Sequence, residues 1–180
     1  TEAMANLFYA RFWGRTDVYA KRYEKKSTGE AGYFPQCDNL WQGVCPKTHQ
    51  QKIRCKDCTY QKYTKLTKTD ILKHLRGISY NASDVIGVYP LQPDGTCRFL
   101  VYDFDNHEKG AEKNDFANTD EAWIEEVEAM RTICILNGID PLVERSRSGR
   151  GAHIWIFFDK AISAALVRRF GYALLEKGAE

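Results

Sequence analysis

Apolar residues first recur at helical spacing between positions 4 and 26. Leu7, Phe8 and Phe12, then Tyr19 and Tyr23, predict a helical segment broken at Gly14, with Thr16 and Asp17 capping the second piece. The periodicity lapses over residues 27–64, where Gly, Pro, Cys and Lys dominate. It returns in a short helix from Leu66 to Gly77, capped by Thr67 or Thr69, with Ile71, Leu72 and Leu75 inward and Gly77 as the stop. Two β-rich runs, Val85–Leu91 and Cys97–Asp105, flank the turn tripeptide Pro93-Asp94-Gly95 and predict a hairpin.

A helix follows, opened by Thr119 and Asp120, carried by Trp123, Val127, Met130 and Cys134, and ended by Asn137-Gly138. Leu142–Ser146 and His153–Phe158 read as strands joined by a Gly/Ser/Arg loop, and Ile162, Leu166, Phe170 and Leu174 mark a last amphipathic helix. From residue 97 onward the order is β-α-β-β-α. The expected class is therefore α/β (α+β), an RRM-like (ferredoxin-like) core lacking its last strand. Three parts are expected: an N-terminal helical segment (1–30), a four-cysteine module (31–65) and the partial RRM-like core (66–180).

Composition narrows the class. No apolar run approaches the ~20 residues that span a bilayer, and the N-terminus lacks the apolar run of a secretory signal. The expectation is a soluble, cytoplasmic protein with no membrane partner. Residues 1–76 hold 15 Lys/Arg against 7 Asp/Glu, whereas the remainder holds 11 against 17. A basic front and an acidic back suit a polyanion on one side and cations on the other, although charge runs also serve as plain solvated faces.

Four of the six cysteines crowd into residues 37–58, as Cys37, Cys45, Cys55 and Cys58. A local cluster without secretion favours metal over disulfides. The Cys55-x-x-Cys58 half-site suits one tetrahedral structural Zn²⁺, with Cys37 and Cys45, or His49 in place of one of them, completing the set. Lys52, Arg54, Lys56 and Lys62 interleave with Trp41, Tyr60 and Tyr63, a mixture that suits nucleic acid. Cys97 and Cys134 fall on apolar faces and are expected in the core.

Two segments carry candidate chemistry. In Phe99-Leu-Val-Tyr-Asp103-Phe-Asp105 both aspartates project from one face of a strand, about 6–7 Å apart at Cα. Paired carboxylates so placed suit hard divalent cations, Mg²⁺ or Mn²⁺, although an isolated D-x-D also closes strands that enter solvated loops. In Arg145-Ser-Arg147-Ser148-Gly-Arg150-Gly-Ala-His153, glycines admit an anion to the backbone, and arginines and serines supply donors for phosphate. His153, Trp155 and Phe157 share one strand face, and His153 is placed to donate to a phosphate oxygen of an incoming nucleotide.

These segments together resemble the archaeo-eukaryotic primase superfamily, specifically the primase domain of TOTE conflict systems of prokaryotes and their mobile elements. The resemblance rests on Gly14-Arg-x-Asp-Val-Tyr19, Gly32-Tyr33, the cysteine module, Ile86-Gly-Val-Tyr-Pro-Leu91, the Asp103/Asp105 strand and Glu144-Arg-Ser-Arg-Ser-Gly-x-Gly-Ala-His-Ile-Trp-Ile-Phe-Phe158. It implies a DNA primase-polymerase, a template-directed nucleotidyltransferase that makes or extends primers from NTPs or dNTPs on a DNA template. Asp103 and Asp105 would hold the catalytic metals and His153 would contact the nucleotide phosphates. Many relatives have Ser-x-His where this chain has Gly151 two before His153.

The superfamily's third acid, on a later strand, has no counterpart here. Asp159 lies roughly 20 Å along the strand from His153 at ~3.3 Å per residue, a poor substitute. These residues are therefore expected to be a fragment of a longer polypeptide, with the rest of the primase and a helicase as further domains. Two other functions fit the same residues: a non-catalytic nucleic-acid- or nucleotide-binding module, and a metal-dependent nuclease.

Overall fold

The computed structural model describes residues 1–105, 122–146 and 149–178. They fall into two compact units, Thr1–Asp94 and Gly95–Glu180. In the first, α1 (Glu2–Arg11) is capped by the Thr1 side chain, which accepts from Met4 N. The helix stops there. Ala20–Glu24 forms β1, not the second helical piece expected, and pairs antiparallel with β2 (Ala31–Pro35).

Tyr19 and Tyr23 are spaced for a helix, but cross-strand packing overrides the spacing. The Tyr23 ring lies over Gly32 and 5.7 Å from the Phe34 ring. Gly29, at φ +69°, closes the hairpin, and Asp17 binds Arg15 rather than capping a helix.

Beyond β2 come single 3₁₀ turns at Pro46–His49 and Cys55–Asp57. The helix α2 (Lys68–Arg76) runs between its expected signals: Thr67 caps it reciprocally with Asp70, and Gly77 ends it at φ +58°. Its Ile71 is buried, and α2 packs on α1.

The strand β3 is only Ile86–Gly87, and it joins β1. The expected hairpin across Pro93-Asp94-Gly95 does not form, because Thr96–Asp105 pairs elsewhere. Pro90 removes a backbone donor from the first run, which shortens it. Residues 66–94, grouped by sequence with the later core, thus supply α2 and β3 to the first unit.

The second unit is built from β4 (Thr96–Asp105), α3 (Ala122–Leu136), β5 (Leu142–Arg145), β6 (Gly151–Ser163) and α4 (Ala164–Gly178). Its sheet has the order β4-β6-β5, antiparallel throughout. The expected cap of α3, Thr119 and Asp120, lies outside the described residues. The exit is at Asn137 and Gly138, the latter at φ +72°.

The strand β6 outruns its expected end at Phe158, because a register shift between Cys97 and Phe99 lets pairing continue to Ser163. Ile162 is therefore a strand residue and α4 starts after it. α3 and α4 cover one sheet face, where Val127, Met130, Cys134 and Leu174 meet Tyr102, Ala152, Ile154 and Ile156. Full burial of a side chain such as Ile154 is worth about 1.5–3 kcal/mol. Burial raises the Cys97 and Cys134 thiols above their ordinary range, as befits core cysteines. The architecture is α+β with small antiparallel sheets. Among the described residues no helix is long and apolar enough to cross a membrane.

Where α4 crosses β4, the Tyr102 hydroxyl donates to the Gly171 carbonyl at 2.8 Å. A side chain at 171 would press on Leu100 and that hydroxyl, so glycine sets the approach. Tyr102→Phe keeps the ring and removes the buried donor. It is expected to cost about 1 kcal/mol in urea unfolding, with unchanged circular dichroism.

Candidate functional site

The face of the second unit's sheet opposite α3 and α4 is set by strand parity. Asp103, Val101 and Phe99 on β4 stand opposite His153, Trp155 and Phe157 on β6. Glu144 and Leu142 on β5 stand opposite His153 and Trp155. One row across the sheet therefore reads Asp103, His153, Glu144.

His153 Nε2 lies 3.4 Å from Asp103 Oδ1, and its Nδ1 lies 3.3 Å from Glu144 Oε2. The Trp155 indole N–H donates to the same Glu144 oxygen at 2.9 Å. The side chains of Asp103 and Glu144 remain 63% and 53% exposed and that of His153 31%, so solutes reach the row. Asp105 is one step further along the same face, opposite Gly151.

Gly151 is explained by this pairing. A Cβ there would collide with the Phe104 carbonyl oxygen and come within 2.9 Å of Asp105 Oδ1. Backbone atoms cannot yield, so a side chain at this position has no room. The close approach holds Asp105 beside the start of β6.

Arg145, at the end of β5, points its guanidinium into the β5–β6 loop, donating to the Gly149 carbonyl from Nε at 3.1 Å and Nη2 at 2.9 Å. Gly149 adopts φ +75°, and the loop closes through Ser146 N to Gly151 O and Gly149 N to Ser146 O. Arg150 is half-buried in this loop. Arg147 and Ser148 lie outside the described residues. The arrangement keeps the loop beside His153, with glycine backbone at its rim.

In the first unit, Cys37, Cys45, Cys55 and Cys58 are all unbridged and half-buried, and all four line one cavity of about 40 Å³. That is ample for a single ion. Two backbone features gather them: the turn in which Cys58 N donates to Cys55 O, and a bridge between Cys37 and Tyr63. Lys62 N also donates to Cys37 Sγ at 3.4 Å, the kind of bond that supports a ligating thiolate. His49 is turned to the Gly43 carbonyl at 2.9 Å and does not line the cavity. Among the described residues no three His, Cys, Asp or Glu are gathered at metal-binding distances.

Sequence reasoning did not single out Glu144. Alternation along β5 puts it on the face of Leu142, but only the β5–β6 register brings it to His153.

Gly151→Ala is expected to destabilise by about 1–3 kcal/mol through overpacking. Thermal unfolding of the variant beside the parent chain reads the difference.

The family model for the TOTE conflict system, Archaeo-Eukaryotic Primase domain, matches residues 3–180 of this chain. No curated protein matches it.

Proposed function

The chain belongs to the archaeo-eukaryotic primase domain family of TOTE conflict systems, and on that premise we propose that it is the nucleotidyl-transfer core of a DNA primase-polymerase. The observation that carries the proposal is the exposed row of Asp103 against His153, with Asp105 next along the face. In the proposed reaction a primer 3′-hydroxyl attacks the α-phosphorus of a nucleoside triphosphate. A bond forms between the 3′-oxygen and the α-phosphorus as the bond from that phosphorus to the bridging oxygen breaks, the hydroxyl proton passes to solvent, and pyrophosphate leaves.

Asp103 and Asp105 are the residues that would hold Mg²⁺ or Mn²⁺. Such cations supply Lewis-acid activation of the hydroxyl and charge neutralisation on the pyrophosphate. The donors fit, being two exposed carboxylates on one strand face. His153 orients the triphosphate by donating to a phosphate oxygen. The glycine-rich loop, braced by Arg145 through the Gly149 carbonyl, is proposed as the phosphate-binding loop with Arg150, and Arg147 and Ser148 are proposed to add donors by their chemistry alone.

The second unit is read as an RRM-like core. Its order β4-β6-β5, with a helix after the first and third strands, supports this. β4 is an edge strand among the described residues.

The four cysteines are proposed as the ligands of a structural Zn²⁺, since four sulfurs leave no open position for catalysis. Around that module Trp41 is 80% exposed and Lys47, Lys52 and Arg54 border one open concavity, which supports contact with a DNA template and primer.

Asp103→Ala and Asp105→Ala should each lower Mn²⁺-dependent nucleotide incorporation by the intact polypeptide at least about 100-fold, with the fold intact by circular dichroism. Activity that survives both changes together would end the assignment. Cleavage of labelled DNA in Mn²⁺ without nucleotides would redirect it to a nuclease. Elemental analysis should find one zinc per chain, falling to background in a Cys55→Ser/Cys58→Ser double variant.

A further inference from the structure

We infer that Glu144 is a positioning residue for His153, setting the imidazole so that Nε2 faces the nucleotide phosphates. This rests on the reading of His153 as the triphosphate-orienting group and adds the residue that makes its orientation single.

An imidazole on a strand face can flip about its Cβ–Cγ bond, which exchanges Nδ1 with Cδ2 and Nε2 with Cε1. Only one orientation presents Nε2 toward β4. A carboxylate accepts and never donates, so Glu144 at 3.3 Å from Nδ1 favours the orientation with an Nδ1–H directed at β5. Nε2 is then directed across the sheet toward Asp103, 3.4 Å away, and with a proton on each ring nitrogen it donates to a phosphate oxygen while Nδ1–H is held by Glu144.

Glu144 is itself fixed. The Trp155 indole N–H holds the same oxygen, Oε2, at 2.9 Å. Trp155 lies two residues from His153 on the same strand face, its ring edge-on to the imidazole at 6.0 Å between centroids and stacked on Phe157 at 6.2 Å. The chain of contacts runs from a packed aromatic pair to a carboxylate and then to the catalytic imidazole. Because Glu144 is on β5 and Asp103 on β4, with β6 between them, Glu144 faces the imidazole from the side away from the aspartates. Its charge therefore lies off the phosphate path.

The test uses the intact polypeptide and nucleotide incorporation in Mn²⁺, with KM measured separately for the incoming nucleotide and for the primer–template. Glu144→Ala should raise the nucleotide KM roughly 10- to 100-fold, the loss of one hydrogen bond to a charged group, with primer–template KM unchanged. Glu144→Gln keeps an acceptor oxygen for both donors and should return to within about threefold of wild type. Trp155→Phe, which removes the anchoring N–H along with part of the stacked ring, should move nucleotide KM in the same direction by a smaller factor.

A wild-type nucleotide KM in Glu144→Ala, alongside a large defect in His153→Ala, would overturn the role of Glu144 and leave the site standing. No defect in His153→Ala would instead remove the site reading itself. Equal rises in both KM values for Glu144→Ala, or failure of Glu144→Gln to rescue, would make the residue structural and overturn the inference.

Discussion

The antiparallel pairing of β4 with β6 sets Asp103 opposite His153 and Asp105 opposite Gly151. A slip of one residue would turn both aspartates under α3 and α4 and send Tyr102 and Phe104 to the open face. Burying carboxylates without partners costs several kcal/mol each, and exposing the apolar set forfeits the core as well. Register along the exposed row is thus maintained by the buried side of the sheet. Tyr102, Ala152, Ile154 and Ile156 lock the ladder against the helices, and the polar row rides on the other face.

That separation explains how like charges persist at one place. Asp103, Asp105 and Glu144 all project from an uncovered surface, where water screens them and cations can enter. His153 stands between two of them. Gly151 tightens the same geometry from the backbone, since only a residue without a side chain lets β6 begin against Phe104 and Asp105. The loop before it is braced by Arg145 through the Gly149 carbonyl, so an arginine with the chemistry of a phosphate ligand is engaged with its own loop.

The first unit follows a different logic. It has few regular elements between Pro35 and Thr67, and its four cysteines surround one small cavity. The chain there is ordered by short turns, a single bridge and side-chain-to-backbone bonds such as Asn39 to Tyr60 O. Thiol ligation is a chemically apt way to organise so apolar-poor a stretch.

Local chemistry made several features readable from the sequence: α2 between Thr67 and Gly77, the inward stripe of α3, the shared face of Asp103 and Asp105, and the order of strands and helices after residue 95. Each depends on spacing within one element, which the chain carries with it. Tertiary structure alone decided what depends on partners. Ala20–Glu24 became a strand because Tyr23 packs across to Gly32 and Phe34, and Ile86–Gly87 left its apparent hairpin to pair with β1. Glu144 reached His153 only through the register of β5 on β6. Pairing between distant segments is a contest among alternatives with similar local propensity, and burial of the whole sheet face settles it.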